Sequence, residues 1–253
     1  MLTCFVQIIP RQQHSEGGLR MFIVFEGIDG SGKTTQAQLL VQHLNENGIP
    51  AIYTKEPGGW DGGEKMRDFL LHGDVQGKTT ELMMFFADRS EHVARVIEPA
   101  LKEGKVVVCD RYTDSTIAYQ CFGRGHDQDL VEQLIALTKI PRPDLTIYCN
   151  ITPEQALQRR TQRGEADRIE QEKMEFFNRV KQGFDILALK NPRGYSIDAT
   201  QSVEDQARKI AWYVDFSVRK NKYRDAVLHG ISNTISTSKE LHAKESRERS
   251  NTR

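Results

Sequence analysis

Residues 27 to 34 read Gly27-Ile28-Asp29-Gly30-Ser31-Gly32-Lys33-Thr34, a complete G-x-x-x-x-G-K-[ST] pattern. It follows the apolar run FIVF at 22–25 and precedes a stretch in which Ala37, Leu40, Val41 and Leu44 recur at helical spacing. The physical demand behind the pattern is specific. Glycines let backbone N–H groups curl around phosphate oxygens, and the helix N-terminus adds partial positive charge. Lys33 then reaches the terminal phosphates and Thr34 holds Mg²⁺. A plain glycine-rich turn would need none of the Lys-Thr chemistry, and the strand-before, helix-after context argues against it.

Around this loop the chain alternates. AIYT at 51–54 reads as a strand closed by Pro57-Gly58-Gly59, and a helical stretch runs from about 82 to 102, kinked or restarted at Pro99. VVVC at 106–109, LTIYC at 145–149 and GYSIDA at 194–199 read as further strands. Helical segments fall near 114–121 and 129–139, after Thr152-Pro153, and after Ser202 with Ala207, Ile210, Ala211 and Val214 on one face. Strands alternating with helices imply a parallel α/β sheet covered on both faces.

Composition narrows the class. The 253 residues carry 35 Lys+Arg against 35 Asp+Glu, which excludes a strongly basic nucleic-acid binder. No apolar run approaches the roughly 18 residues of a membrane helix. Residues 1–20 make a poor secretory signal and 221–253 are rich in Ser, Thr, Asn and charge, so both read as disordered extensions of a body over 21–220, with Met21 as the working start. Cys4, Cys109, Cys121 and Cys149 lack C-x-x-C spacing, which points to structural thiols in a reducing, cytoplasmic setting.

A metal-bound phosphate also needs an acidic ligand, and Asp110 supplies one at the C-terminal end of the strand 106–109; its other use would be to cap the next helix. Arg111 beside it can face phosphate oxygens. Phe85 and Arg89, four apart on one helix, place a ring and a guanidinium on the same face, suited to a nucleotide base; core packing would serve Phe85 equally. Arg159 and Arg163 repeat that spacing before Gly164, as a phosphate-closing lid or as a solvated helix end. The only Asn-Lys pair, Asn221-Lys222, is followed by Tyr223-Arg224 and lacks the aspartate of a guanine-reading N-K-x-D element.

Several further runs resemble one family. Phe25-Glu26-Gly27, Glu56-Pro57-Gly58-Gly59, Asp110-Arg111-Tyr112, Ser115-Thr116-Ile117-Ala118-Tyr119-Gln120 and Arg163-Gly164-Glu165-Ala166-Asp167-Arg168-Ile169-Glu170 are similar to thymidylate kinase motifs, and the likeness spans about 21–220. It implies a P-loop nucleoside monophosphate kinase fold, a five-stranded parallel sheet ordered 2-3-1-4-5 with helices on both faces. It also implies phosphorylation of dTMP by ATP with Mg²⁺, and a homodimer. Asp29 would orient the acceptor's 3′-hydroxyl, Phe85 stack on thymine and Arg89 read its carbonyl edge. Arg67 and Arg111 would bind the acceptor phosphate, Tyr119 exclude a ribose 2′-hydroxyl and Gln120 lie near the base. Glu56, Ser115 and Thr116 would join the acceptor side, and Thr35 and Arg159 the ATP side. Gly30 stands where some relatives carry a phosphate-reaching arginine; Arg163, in a lid over 158–169, resembles its bacterial-type replacement. Trp60 departs from the small Thr usual after Glu-Pro-Gly-Gly.

The expected reaction needs no general base, because the acceptor phosphate is already ionised near pH 7; Lys33, Arg163 and Mg²⁺ would stabilise the transferred group. The alternatives are another deoxynucleotide or nucleoside kinase, or a non-catalytic nucleotide-gated interaction protein. No nucleic-acid or membrane partner is expected. The net charge resolves by segment: 21–220 hold 26 basic and 30 acidic residues, yet Lys33, Arg67, Arg89, Arg111 and Arg163 converge in sequence motifs aimed at polyanions.

Overall fold

The structure, a computed structural model, describes residues 20–162 and 166–217. Two compact units divide the chain, one up to Trp212 and one from Tyr213; of the second, 213–217 are described and are helical. The extensions expected over 1–20 and 221–253 lie outside the described residues apart from Arg20, and so does Arg163.

Five parallel strands form one sheet: β1 (Met21–Glu26), β2 (Ala51–Lys55), β3 (Val106–Asp110), β4 (Leu145–Asn150) and β5 (Gly194–Asp198), in the order β2-β3-β1-β4-β5. The expected fold class and strand order are both found. All six residues of β1 are buried, as a central strand covered on both faces requires. Its register pairs Phe25 with Asp110 and Glu26 with Tyr148, so the ends of β1 and β3 finish side by side at the C-terminal edge of the sheet. Ligands gather at that edge in open α/β sheets.

Helices α1 (Lys33–Glu46), α2 (Gly63–His72) and α3 (Lys78–His92) follow the first two strands. From α3 the chain continues through a π-helical segment, Val93–Ile97, into α4 (Glu98–Lys102). Pro99 explains the break: it offers no N–H, and its ring crowds the carbonyl of Arg95, so the widened turn ends where Pro99 opens α4. Beyond β3, α5 (Thr113–Thr116) runs into a second π-helical segment, Ile117–Gly123, and α6 (Gln128–Leu137) leads to β4. Helices α7 (Pro153–Thr161) and α8 (Met174–Lys190) separate β4 from β5. A capping box at Thr152 and Gln155 opens α7, with Pro153 in its first turn. A helix beginning at 203 follows Ser202, whose hydroxyl accepts the Asp205 N–H at 3.1 Å.

Two of these helices, α2 and α8, were not expected from the sequence. Leu82 and Phe86 pack with Ile117, Cys121 and Val131, and Val93, Ile97 and Leu101 pack with Phe22, Val107 and Tyr112. On α1, Leu40 and Leu44 are buried as expected, Val41 is only half-buried, and Gln36 takes an inward place by donating to the Val203 carbonyl at 3.0 Å. Cys109, Cys121 and Cys149 are buried free thiols. No helix among the described residues is long and apolar enough to cross a membrane.

Candidate active site

The loop between β1 and α1 is built for an anion. Gly30 and Gly32 both hold positive φ, and a Cβ on Gly30 would lie 2.5 Å from the Ala156 carbonyl oxygen of α7. Only glycine fits that approach without displacement, and the place is correspondingly closed to an arginine in this arrangement. No side chain caps α1 and no acidic residue stands in its first turn, which leaves its N-terminal partial charge for an anion. Lys33 Nζ donates to the Ile28 carbonyl at 2.9 Å inside the loop, and burial, aided by Arg111, lowers its pKa. Thr34 Oγ1 donates to Asp110 Oδ2 at 2.5 Å, joining the start of α1 to the end of β3.

A cleft of about 390 Å³ opens from this loop, a size suited to small-molecule ligands. Asp29, Arg111 and Tyr119 meet on one wall. Arg111, itself at φ 73°, pairs with Asp29 through Nη2 and donates from Nη1 to the Gly27 carbonyl at 2.9 Å and to Ser115 Oγ at 3.0 Å. The Tyr119 hydroxyl donates to Asp29 Oδ2 at 2.6 Å. Burial pushes the Asp29 carboxyl up, but Arg111, Lys33 and the hydrogen bonds outweigh it and hold the group well below the usual carboxylate range.

Behind that wall lies Glu26, fully buried, whose Oε1 accepts the N–H groups of Tyr112 (2.9 Å) and Ser115 (3.1 Å) and whose Oε2 accepts the Ser115 hydroxyl (2.5 Å). Burial, reinforced by the nearby Asp114 carboxylate, raises Glu26 to about 7. Glu26 thereby holds the turn that presents Arg111 and Ser115.

The opposite wall comes from α3 and the loop after β2. Arg89 is buried: Nε donates to Glu56 Oε2 at 2.7 Å, and Nη2 donates to the Tyr112 carbonyl (3.0 Å) and Thr116 Oγ1 (2.8 Å). Its Nη1 has no partner, although the residue lines the cleft. A buried guanidinium with one free edge can take an acceptor atom from a ligand, such as a carbonyl oxygen. Phe85, one turn earlier, is half-buried and also lines the cleft, which favours the ligand-facing alternative over pure core packing. His92 Nδ1 lies 3.0 Å from Glu56 Oε1 and its Nε2 lies 2.6 Å from Thr54 Oγ1. Glu56, His92 and Cys109 are close enough to share a cation, but the Arg89 guanidinium already supplies the positive charge there.

Of the residues expected from sequence, Asp29, Gly30, Gly32, Lys33, Thr34, Thr35, Glu56, Arg67, Phe85, Arg89, Asp110, Arg111, Ser115, Thr116, Tyr119 and Gln120 line this one cleft. Gly27, Ile28 and Ser31 shape the loop without lining the cleft. Arg159, expected on the ATP side, does not line it either, and Nη2 donates to the Ala199 carbonyl at 2.8 Å. Gln38, Tyr53, Lys55 and Leu71, which carry no motif signal in the sequence, also line the cleft, as do Asp167, Ile169 and Glu170 from the motif run 163–170.

Trp60 turns away from the cleft rather than filling it. Its Nε1 donates to Asp88 Oδ1 at 2.8 Å, on the α3 turn that also bears Arg89.

The family described as Thymidylate kinase matches residues 25–210. A thymidylate kinase of Synechococcus sp. (strain JA-2-3B'a(2-13)) is 49% identical over 196 residues, covering 77% of this chain and 93% of the relative. One from Pelotomaculum thermopropionicum is 44% identical over 219 residues, 83% of this chain and 97% of the relative. Among solved structures, thymidylate kinase from Ehrlichia chaffeensis superposes with a TM-score of 0.64 at 37% identity, covering 77% of this chain and 97% of that one.

Proposed function

The chain belongs to the thymidylate kinase family, and from that premise we propose how its own residues divide the work. The enzyme is an ATP-dependent nucleoside monophosphate kinase that phosphorylates dTMP to dTDP. ATP phosphates occupy the loop 27–34, and dTMP lies against Phe85, Arg89, Arg67, Gln120 and Tyr119. The observation that carries it is Arg89 Nη1, buried without a hydrogen-bond partner on a residue that lines the same cleft as Phe85, so that a base stacked on the ring can complete the guanidinium's hydrogen bonding with a carbonyl oxygen.

An acceptor phosphate oxygen attacks the γ-phosphorus in line while the bond to the β-bridging oxygen breaks and ADP leaves. Lys33 follows the charge on the transferred group, and Arg111 with Arg67 holds the acceptor phosphate at the line of attack. Asp29, kept ionised by Arg111, orients the acceptor sugar by accepting a hydrogen bond from its 3′-hydroxyl, with no proton transferred. The lid over 158–169 excludes water, and its Arg163 meets the transferred group. Thr34 and Asp110 fit Mg²⁺: a hydroxyl and a carboxylate oxygen 2.5 Å apart at the loop's mouth are the hard donors that this cation takes. When bound, Mg²⁺ neutralises β- and γ-phosphate charge.

A working body over 21–220, a cytoplasmic location and a homodimer complete the reading. The homodimer rests on the family likeness, and sedimentation velocity tests it. An ADP-release assay with ATP, Mg²⁺ and dTMP, dUMP, dCMP or dGMP tests the acceptor. Preference for dTMP is expected; preference for another monophosphate overturns the acceptor assignment.

A further inference from the structure

We propose that Trp60 is a positioning residue for the acceptor nucleotide, fastening the loop 56–63 to α3 through Asp88. The inference rests on the acceptor-site reading above.

Three contacts converge on this indole. Its N–H donates to Asp88 Oδ1, and both Asp88 oxygens also accept the Gly58 N–H at 3.0 Å. The ring lies so close over Gly63 that a Cβ there would stand 2.7 Å from Nε1, and the Gly63 N–H donates to the Trp60 carbonyl at 2.8 Å. Arg95 stacks on the outer face, its guanidinium carbon 5.2 Å from the ring centroid. The indole is therefore wedged between the first turn of α2 and the side of α3.

Each anchored element carries an acceptor-facing group. Gly63 opens α2, which bears Arg67, and Arg67 Nη1 donates to the Pro57 carbonyl at 3.0 Å. Asp88 precedes Arg89, and Gly58 follows Pro57, itself beside Glu56, the partner of Arg89. One indole N–H thus sets the spacing between the phosphate-facing Arg67 and the base-facing Arg89. A small side chain at 60 could neither reach Asp88 nor cover Gly63, and Gly63 in turn leaves the room that the indole fills.

Trp60→Phe keeps a ring over Gly63 and removes the N–H. The expected result is a KM for dTMP raised about 3- to 10-fold, the scale of one hydrogen bond to a carboxylate, with kcat and KM for ATP within about twofold of wild type. Adding Asp88→Asn should give less than the product of the two single effects. Phe85→Ala, run in parallel, tests the site itself. If Phe85→Ala raises KM for dTMP and Trp60→Phe does not, the positioning role is overturned and the acceptor site stands. If Phe85→Ala leaves KM for dTMP unchanged, both fall. A Trp60→Phe enzyme in which kcat and both KM values shift together has lost general structure, which also overturns the role. Because a variant can fail to fold, a second measurement uses Trp212→Phe protein, where Trp60 is the sole tryptophan. Its emission should change on titration with dTMP and saturate near the KM; an unchanged emission overturns the proposal.

Discussion

Arg89 Nε stands 2.7 Å from Glu56 Oε2, and both side chains are under 5% exposed. Such a buried pair is held by geometry, since two desolvated charges gain little over an apolar pair unless their remaining donors are satisfied. Here Tyr112 and Thr116 satisfy Nη2, and Nη1 is left over. Arg89→Ala should therefore act twice. Leaving the buried Glu56 carboxylate with its His92 contact but without the guanidinium should cost about 3 kcal/mol in a urea melt. In whatever fraction folds, KM for dTMP should rise while KM for ATP holds.

Glu26 predicts a pH dependence of stability. The folded protein keeps its proton up to about pH 7, whereas the group ordinarily releases it near 4.5. Between those values the folded state binds the extra proton, so this group's contribution is full below 4.5 and is lost as pH rises through 7. Asp29 acts in the opposite sense, its contribution fading as pH falls below 3.8. Thermal melts across pH 4.5 to 7.5 should show the decline, and Glu26→Gln should flatten it. An equal slope in that variant would assign the titration elsewhere.

The oxygen pair Thr34 and Asp110 predicts metal dependence. Thr34→Ala or Asp110→Asn should raise the Mg²⁺ concentration for half-maximal rate by roughly tenfold or more. Initial rates across a Mg²⁺ series at fixed ATP measure this directly.

Charge on the transferred group predicts the catalytic losses. Lys33→Met should lower kcat by about 10²–10³, and Arg163→Ala should do the same, with smaller changes in KM for dTMP. Single-turnover quench experiments separate this loss from slowed product release. An Arg163→Ala enzyme with unchanged kcat would remove the lid arginine from the mechanism.

The loop 27–34 was legible because its demands are local. A fixed run of glycines, a lysine and a threonine dictates backbone shape and chemistry within eight residues. The five strands were legible for a similar reason, as β-branched apolar runs bounded by turns. Helix α8 is weakly signalled in the sequence although Phe176, Phe177, Val180 and Phe184 form its buried face. Lys173 gives no side-chain cap at its start, and Gly183 interrupts the run. Helix α2 begins on Gly62-Gly63, which reads as more turn. For Arg159, i, i+4 spacing with Arg163 fixes a helix face but not what that face meets, and only the fold shows its bond to the Ala199 carbonyl.

The phosphate loop, the parallel sheet and the family follow from residues adjacent in the chain. The sealing of Glu26 from water, the unpartnered Nη1 of Arg89 and the bond from Trp60 to Asp88 come instead from how distant segments pack. These relationships join residues 28 to 89 positions apart. Burial and hydrogen-bond completion there depend on how strands and helices close upon each other, a property no local pattern carries.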